Sequence, residues 1–184
     1  MTTYVWMTAV LFVSGLLEMI LGGFGVSLPL LLLAVFYLGV FRQWPFVLWL
    51  GIFLGSMLEL CYGRSVLLCW VLYPLAIGFA HAWRWFGQTS GLFRQSFAGG
   101  LLGFANGLCL MLLRYREFGT VSGWLTDLFL TCIYGALSLP LMCCVLDWFA
   151  GRLALKRYSR LSSGRRDELV YYGDDEEGDE IFYD

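Results

Sequence analysis

The chain has 184 residues, of which 59% are hydrophobic and 14% are charged, and its mean hydropathy is +0.71. A soluble domain of this length carries about a quarter charged residues, so the composition excludes an ordinary soluble globular protein. The charge is also unevenly placed. Residues 1–151 hold six Arg, no Lys and five acids, whereas residues 152–184 hold six basic residues and nine acids. We therefore predict a transmembrane helical domain over 1–151 and a water-exposed tail over 152–184.

Six apolar segments approach the roughly 20 residues that a helix needs to cross the hydrocarbon core. Because lipid offers no partners to backbone polar groups, each segment is predicted to be a helix and the fold class to be all-α. The second segment is short and close to the first, so a tight hairpin or a broken helix, with five spans in total, is the alternative. The predicted spans are 4–22, 26–41, 45–62, 65–83, 96–113 and 123–148.

Basic residues that flank the spans predict the orientation of the chain in the membrane. With six spans and a cytoplasmic N-terminus, nine basic residues lie on the cytoplasmic side and three on the opposite side, and six of the nine belong to the tail. With five spans the N-terminus would change sides while the tail stayed cytoplasmic. The tail is basic over 151–166, which suits anionic lipid headgroups. Over 167–184 it is acidic, low in complexity and predicted to be disordered.

No catalytic or metal-binding pattern emerges from residues 1–151. His81, the one histidine of the chain, lies beside Trp83 and Arg84 in a cluster typical of a membrane interface. Ser14 and Ser138 have no evident base as a partner, and no pair of His, Asp or Glu has metal-binding spacing. The six cysteines lie in apolar segments without CxxC spacing, which favours packing over a zinc site or disulfides. We therefore expect no enzyme, no cofactor, no metal and no nucleic-acid partner.

Two acids, Glu18 and Glu59, lie toward the far ends of the first and third predicted spans, which the six-span arrangement places at the same end of the bundle. An ionised acid costs about 2.5–3.5 kcal/mol at the centre of a span on insertion scales and less near its ends, so each is expected to face protein or water, or to be protonated. Gly51, Gly55 and Glu59 are spaced by four and share one candidate packing face, which Gly63 continues, and small residues on such a face let a second helix approach closely. We predict that this face packs against another helix or a partner, and that Glu59 caps or hydrogen-bonds a neighbouring helix or loop. A second stripe, in the fifth span, comprises Gly99, Gly103, Asn106 and Gly107.

The stretch 29–63 resembles the MreD family, small integral membrane proteins of the bacterial rod-shape (elongation) system. The family pattern is a proline that opens a leucine-rich span, a tyrosine near its end, a basic turn, a glycine-spaced span that ends in an acid and a leucine, and a final glycine. The chain departs from this pattern at Glu59, where aspartate is usual, and at Leu67, where glycine is frequent. The matching positions are Pro29, Tyr37, Arg42, Gly51, Gly55, Glu59, Leu60 and Gly63.

The resemblance implies a non-enzymatic scaffold of the bacterial inner membrane that binds an MreC-like single-span partner. Through that partner it implies contact with MreB filaments and with the RodA–transpeptidase synthase of peptidoglycan elongation. It also implies a fold similar to the substrate-binding subunits of energy-coupling-factor (ECF) vitamin transporters, so a small-ligand binding subunit of such a transporter is the rival hypothesis. The Ala-x-x-x-Ala face by which many such subunits engage their energising module is not evident here, which favours the scaffold. A structural membrane protein of another pathway is the third alternative.

Overall fold

The computed structural model describes residues 2–24, 28–40, 44–64, 67–85, 91–118 and 123–152, and all regular structure within these ranges is helical, as predicted. The tail beyond Arg152 and the family position Arg42 lie outside the described residues. Six helices occupy the positions of the six predicted spans. They are α1 (Thr2–Gly23), α2 (Leu30–Gly39), α3 (Trp44–Cys61), α4 (Cys69–Trp85), α5 (Leu92–Phe118) and α6 (Trp124–Arg152).

Four of these helices, α1, α3, α5 and α6, are long and apolar enough to cross a membrane, so the chain is a multi-pass membrane protein. The other two are shorter, with 17 residues in α4 and 10 in α2. Ten residues of α-helix extend about 15 Å, half of the roughly 30 Å hydrocarbon core. The short second segment is therefore a separate helix that does not reach across the membrane.

Helix α2 forms the centre of the bundle. Nine of its ten residues, Leu31–Gly39, are buried, and the helix contacts all five of the others. Its sequence, LLLLAVFYLG, is apolar on every face, which is typical of a helix enclosed by protein. Since other helices surround α2, its length does not have to match the thickness of the bilayer.

Consecutive helices run in opposite directions, which gives the bundle two ends. We call the end where α1, α3 and α5 finish the polar end, and the end where they begin the aromatic end. At the aromatic end, Tyr4 packs edge-on against Phe46 with ring centroids 5.1 Å apart, and Trp44 does the same with His81 at 5.8 Å. His81 thus belongs to the aromatic cluster at this end of the bundle, a composition typical of a membrane interface.

The pair α5 and α6 is the most extensive helix contact in the structure. A Cβ atom on Gly99 would overlap the carbonyl oxygen of Gly135, and one on Gly103 would overlap that of Thr131. At Gly107 a Cβ would meet the side chain of Thr131. The second predicted stripe is therefore a place where two backbones touch within this chain, which is the close approach that small residues permit.

Candidate functional site

A small polar cavity lies at the polar end of the bundle. Its volume is about 30 Å³, and α1, α3, α4, α5 and the turn after α3 contribute polar side chains to its lining. The sequence predicted that the two intramembrane acids lie at the same end of the bundle, and both line this cavity. The polar side chains around it are those of Glu18, Glu59, Tyr62, Arg64, Tyr73 and Asn106.

Glu18 caps the N-terminus of α2. The first N–H groups of any α-helix have no partner within the helix, and Pro29, the residue before α2, supplies no side-chain cap. The Leu31 N–H instead donates to Oε2 of Glu18 at 2.7 Å. A carboxylate also suits the positive end of the helix dipole. The acid of α1 thereby provides a hydrogen-bond acceptor for a backbone N–H in the first turn of α2.

Glu59 does the same for α4. The Cys69 N–H, at the first residue of α4, donates to both carboxylate oxygens of Glu59, at 3.1 and 3.3 Å. Glu59 is buried, and the Cys69 thiol lies 3.3 Å from the Ser56 hydroxyl. The prediction that Glu59 hydrogen-bonds a neighbouring helix is confirmed. The matching role of Glu18 was missed, although each acid is followed along the chain by a helix that begins without a Ser, Thr, Asp or Asn cap.

The end of α3 is a Schellman motif, in which two N–H groups beyond the helix return to its last carbonyls. The Arg64 N–H donates to the Glu59 carbonyl oxygen at 3.0 Å, and the Gly63 N–H donates to that of Leu60 at 3.0 Å. Gly63 has φ +67°, a conformation that glycine adopts without steric cost. The carbonyl oxygens of Glu59 and Leu60 and the turn at Gly63 therefore end α3, and a Cβ on Gly63 would meet no atom within 4 Å, so Gly63 does not continue the packing face of Gly51 and Gly55. The Leu60 side chain points outward and is 65% exposed.

The turn after α3 holds Tyr62 and Arg64 over the cavity. The Tyr62 hydroxyl donates to the backbone carbonyl oxygen of Glu18 at 3.1 Å, and the Arg64 guanidinium carbon lies 5.3 Å from the centre of the Tyr62 ring. The Tyr62 phenol therefore joins the end of α3 to the end of α1 through this hydrogen bond.

The glycine face of α3 is covered by other helices of the same chain. A Cβ on Gly55 would lie 2.6 Å from the Tyr73 ring of α4, and one on Gly51 would lie 2.9 Å from the Val35 side chain of α2. Tyr73 is buried. These two glycines therefore serve helix packing within the bundle, and a partner helix would reach them only if Tyr73 moved away.

The remaining candidate positions divide between the two ends of the bundle. Pro29 and Asn106 line the polar cavity together with Gly55. Tyr37 lies at the aromatic end, where its fully buried hydroxyl donates to Oδ1 of Asp147 at 2.7 Å. Asn106 was predicted as a member of the α5 glycine stripe, but it turns toward the polar cavity while its glycine neighbours face α6.

The cavity is suited to water and not, in this structure, to a larger ligand. A volume of about 30 Å³ holds roughly one or two water molecules, whereas small-molecule pockets enclose about 300–1,000 Å³. Both carboxylates already accept backbone hydrogen bonds, and the described residues contain no group of three or more His, Cys, Asp or Glu side chains able to hold a metal. Comparison of the chain with family models, with curated proteins and with solved structures finds no match.

Proposed function

We propose that the chain is a non-enzymatic scaffold of the bacterial inner membrane, similar to MreD, that binds an MreC-like single-span protein. Through this partner it would connect to MreB filaments and to the RodA–transpeptidase synthase of peptidoglycan elongation. The observation that carries the proposal is the resemblance of residues 29–63 to the MreD pattern. No nucleotide, metal or prosthetic group is part of the proposal.

The contacts made by the family positions support a scaffold. Pro29 opens the buried helix α2, Gly51 and Gly55 admit side chains from α2 and α4, Glu59 caps α4 and Gly63 ends α3. Each of these positions serves packing or helix termination. These contacts stabilise the bundle itself, which supports a structural role for the motif in the proposed scaffold.

The proposed topology places both termini in the cytoplasm. Because the six helices of the described residues alternate in direction, α1 begins and α6 finishes at the same end of the bundle. The basic segment 151–166 that follows α6 favours the cytoplasmic side for this end. The polar cavity would then face the periplasm.

A ligand-binding subunit of a vitamin transporter is the rival function. The polar cavity favours this function, since small-molecule sites combine a concave surface with a few convergent polar groups. The small volume of the cavity disfavours it, because binding of a vitamin would require Tyr73 and the turn at Arg64 to move. The scaffold is therefore the better supported function.

Native mass spectrometry of the full chain, extracted gently from its own membranes, tests the proposal. We expect the chain to be retained in a complex with an MreC-like single-span protein. A complex with an ATPase module, or a bound vitamin-sized molecule, would overturn the scaffold in favour of the transporter subunit. Recovery of the chain without any single-span protein would also contradict the proposal.

A pair of variants on α3 makes this test specific. Gly55→Leu places a side chain against Tyr73, so we expect weakened folding and loss of the partner from the complex. Phe53→Leu is the matched control, since Phe53 lies on the same helix and is 61% exposed. Unchanged thermal stability and partner retention in Gly55→Leu would show that this contact does not matter for assembly.

A further inference from the structure

The hydroxyl group of Tyr73 is a buried hydrogen-bond donor at the polar cavity. Tyr73 lies on α4 and is 7% exposed, and a Cβ on Gly55 would lie 2.6 Å from its hydroxyl oxygen. Tyr73 and Gly55 both line the cavity. Among the residues that the structure describes, none accepts a hydrogen bond from this hydroxyl. Because buried tyrosine hydroxyls usually have a partner and an unsatisfied one is destabilising, we expect the partner to lie in the cavity.

The two carboxylates that line the same cavity have acceptor positions left over. An ionised carboxylate offers about four lone-pair positions. The Leu31 N–H occupies one of these on Glu18, and the Cys69 N–H is shared between the two oxygens of Glu59. Neither carboxylate forms an ion pair with a basic side chain of the described residues. A donor inside the cavity therefore finds acceptors on both α1 and α3.

The charges around the cavity favour a neutral occupant over an ion. Glu18 and Glu59 each place a carboxylate at the N-terminus of a helix, where the helix dipole is equivalent to about half a positive charge. Arg64, which also lines the cavity, adds a full positive charge. These charges nearly cancel the two carboxylates. A bound cation or anion would therefore leave an uncompensated charge inside the bundle, which is unfavourable.

The size of the cavity and its polar groups match water. A volume of about 30 Å³ holds roughly one or two water molecules, and a buried water makes about three hydrogen bonds. Water accepts a hydrogen bond from a phenol and donates two of its own, so it can join the Tyr73 hydroxyl to the two carboxylates. Asn106 of α5 contributes an amide to the lining that both donates and accepts.

We propose that the polar cavity is a binding site for ordered water, in which one molecule accepts a hydrogen bond from the Tyr73 hydroxyl and donates to the carboxylates of Glu18 and Glu59. This water supplies the acceptor for Tyr73 and joins α4 to α1 and α3, and Asn106 brings α5 into the same network. A bridging water is nearly as favourable in enthalpy as a direct hydrogen bond. The site therefore couples the two helix caps, and it does not depend on the proposed partner.

A crystal structure of the full chain, grown from a lipidic mesophase at a resolution that shows ordered water, tests the site directly. We expect a water oxygen about 2.7–2.8 Å from the Tyr73 hydroxyl oxygen and within hydrogen-bond distance of a carboxylate oxygen of Glu18 or Glu59. A cavity without ordered density would overturn the proposal. So would a direct hydrogen bond from Tyr73 to a protein group, or a bound metal ion in place of the water.

Thermal unfolding of two tyrosine variants in mild detergent gives a second test. Tyr73→Phe keeps the ring that packs against Gly55 and removes the donor, so we expect its unfolding temperature to fall by about 2–4 °C. Tyr115→Phe, at a tyrosine of α5 that is 59% exposed, is the matched control and should not shift. An unfolding temperature of Tyr73→Phe equal to or above that of the wild-type chain would contradict the site, because removing an unsatisfied hydroxyl is neutral or stabilising.

Replacement of Na⁺ by choline at constant ionic strength tests the neutral occupant. We expect the unfolding temperature of the wild-type chain to stay the same, since the charges around the cavity already balance. A rise that is specific to Na⁺ would show that a cation occupies the cavity and would overturn the assignment of water. Because none of these measurements needs the single-span partner, their outcome is separate from that of the scaffold experiment.

Discussion

Two regions of this bundle hold their helices together by different means. In the region that we call the capped half, α1–α4, a carboxylate near the end of one helix accepts a hydrogen bond from the first turn of the next, once at Glu18 and once at Glu59. In the glycine hairpin, α5–α6, the backbones touch at Gly99 and Gly135. Lipid removes the hydrophobic driving force for association between helices, so hydrogen bonds and close packing take over its role. Carboxylate caps join successive helices in the capped half, where Gly51 and Gly55 add close packing, whereas contact between backbones joins the two helices of the glycine hairpin.

The comparison also separates two kinds of sensitivity. A glycine contact fails when a side chain is added, because two backbones must then move apart. A capping carboxylate fails when its oxygens are removed, because a buried N–H is then left without an acceptor. The following predictions test this distinction, from the largest expected effect to the smallest.

Gly99→Leu should have the largest effect, a loss of at least about 3 kcal/mol of folding free energy, because the new side chain overlaps the Gly135 backbone and cannot be relieved by a rotamer change. The measurement is thermal unfolding in mild detergent. Gly78→Leu is the matched control, since a Cβ on Gly78 meets no atom within 4 Å. Similar unfolding temperatures for the two variants would contradict backbone contact in the glycine hairpin.

Glu59→Leu should cost about 1–3 kcal/mol, because the Cys69 N–H loses its acceptor in a buried place. Glu59→Gln should be milder, since the amide oxygen still accepts one hydrogen bond. Unfolding temperature and shape complementation in cells measure the two variants side by side. Full function and stability of Glu59→Leu would dispose of the capping role.

Glu18→Leu should have an effect of similar size to Glu59→Leu, since it leaves the Leu31 N–H of the central helix without an acceptor. Because both carboxylates line one cavity, we expect the double variant Glu18→Leu/Glu59→Leu to be non-additive. A double-mutant cycle on unfolding free energies checks this. Strict additivity would mean that the two caps act as independent elements.

Tyr37→Phe should cost about 0.5–1.5 kcal/mol, because it removes the hydrogen bond to Asp147 without changing the packing of a fully buried ring. This bond joins the capped half to the glycine hairpin, so its loss should also loosen the contact between α2 and α6. Tyr4→Phe, at a half-exposed tyrosine of the same end, is the control for unfolding temperature. If both substitutions lowered the unfolding temperature equally, the hydrogen bond between Tyr37 and Asp147 would have no role in joining the two halves.

Arg114→Gln should have the smallest effect, about 0.5 kcal/mol or less, because the ion pair with Asp127 is more than half exposed on both side chains. Raising the salt concentration screens the ion pair, so it should reduce the difference in unfolding free energy between the wild-type chain and the variant. The measurement is the shift in unfolding free energy. A loss above about 2 kcal/mol, well beyond the range of exposed ion pairs, would show that the pair is shielded from water.

The sequence predicted the six helices and their positions because each depends on a local property, the length of an apolar run. It also predicted that Glu59 bonds a neighbouring helix, since an acid at membrane depth needs a partner. It did not identify that Glu18 caps α2. The sequence did contain a signal for this cap, because Glu18 is followed by a helix without a capping residue of its own. Whether the Glu18 carboxylate reaches the Leu31 N–H, however, depends on how closely α2 packs against the end of α1.

The tertiary structure alone decided which surfaces the helices share. The sequence LLLLAVFYLG specifies a helix that can be buried, but only the contacts of its neighbours make α2 the centre of the bundle. Likewise the glycine stripes at Gly51 and Gly99 predict that another helix packs closely there, but they do not identify that helix. In the structure α2 and α4 pack on the first stripe and α6 packs on the second. Apolar length and intramembrane acids are properties of the chain itself. The choice of neighbour is made by packing between segments that lie far apart in the sequence.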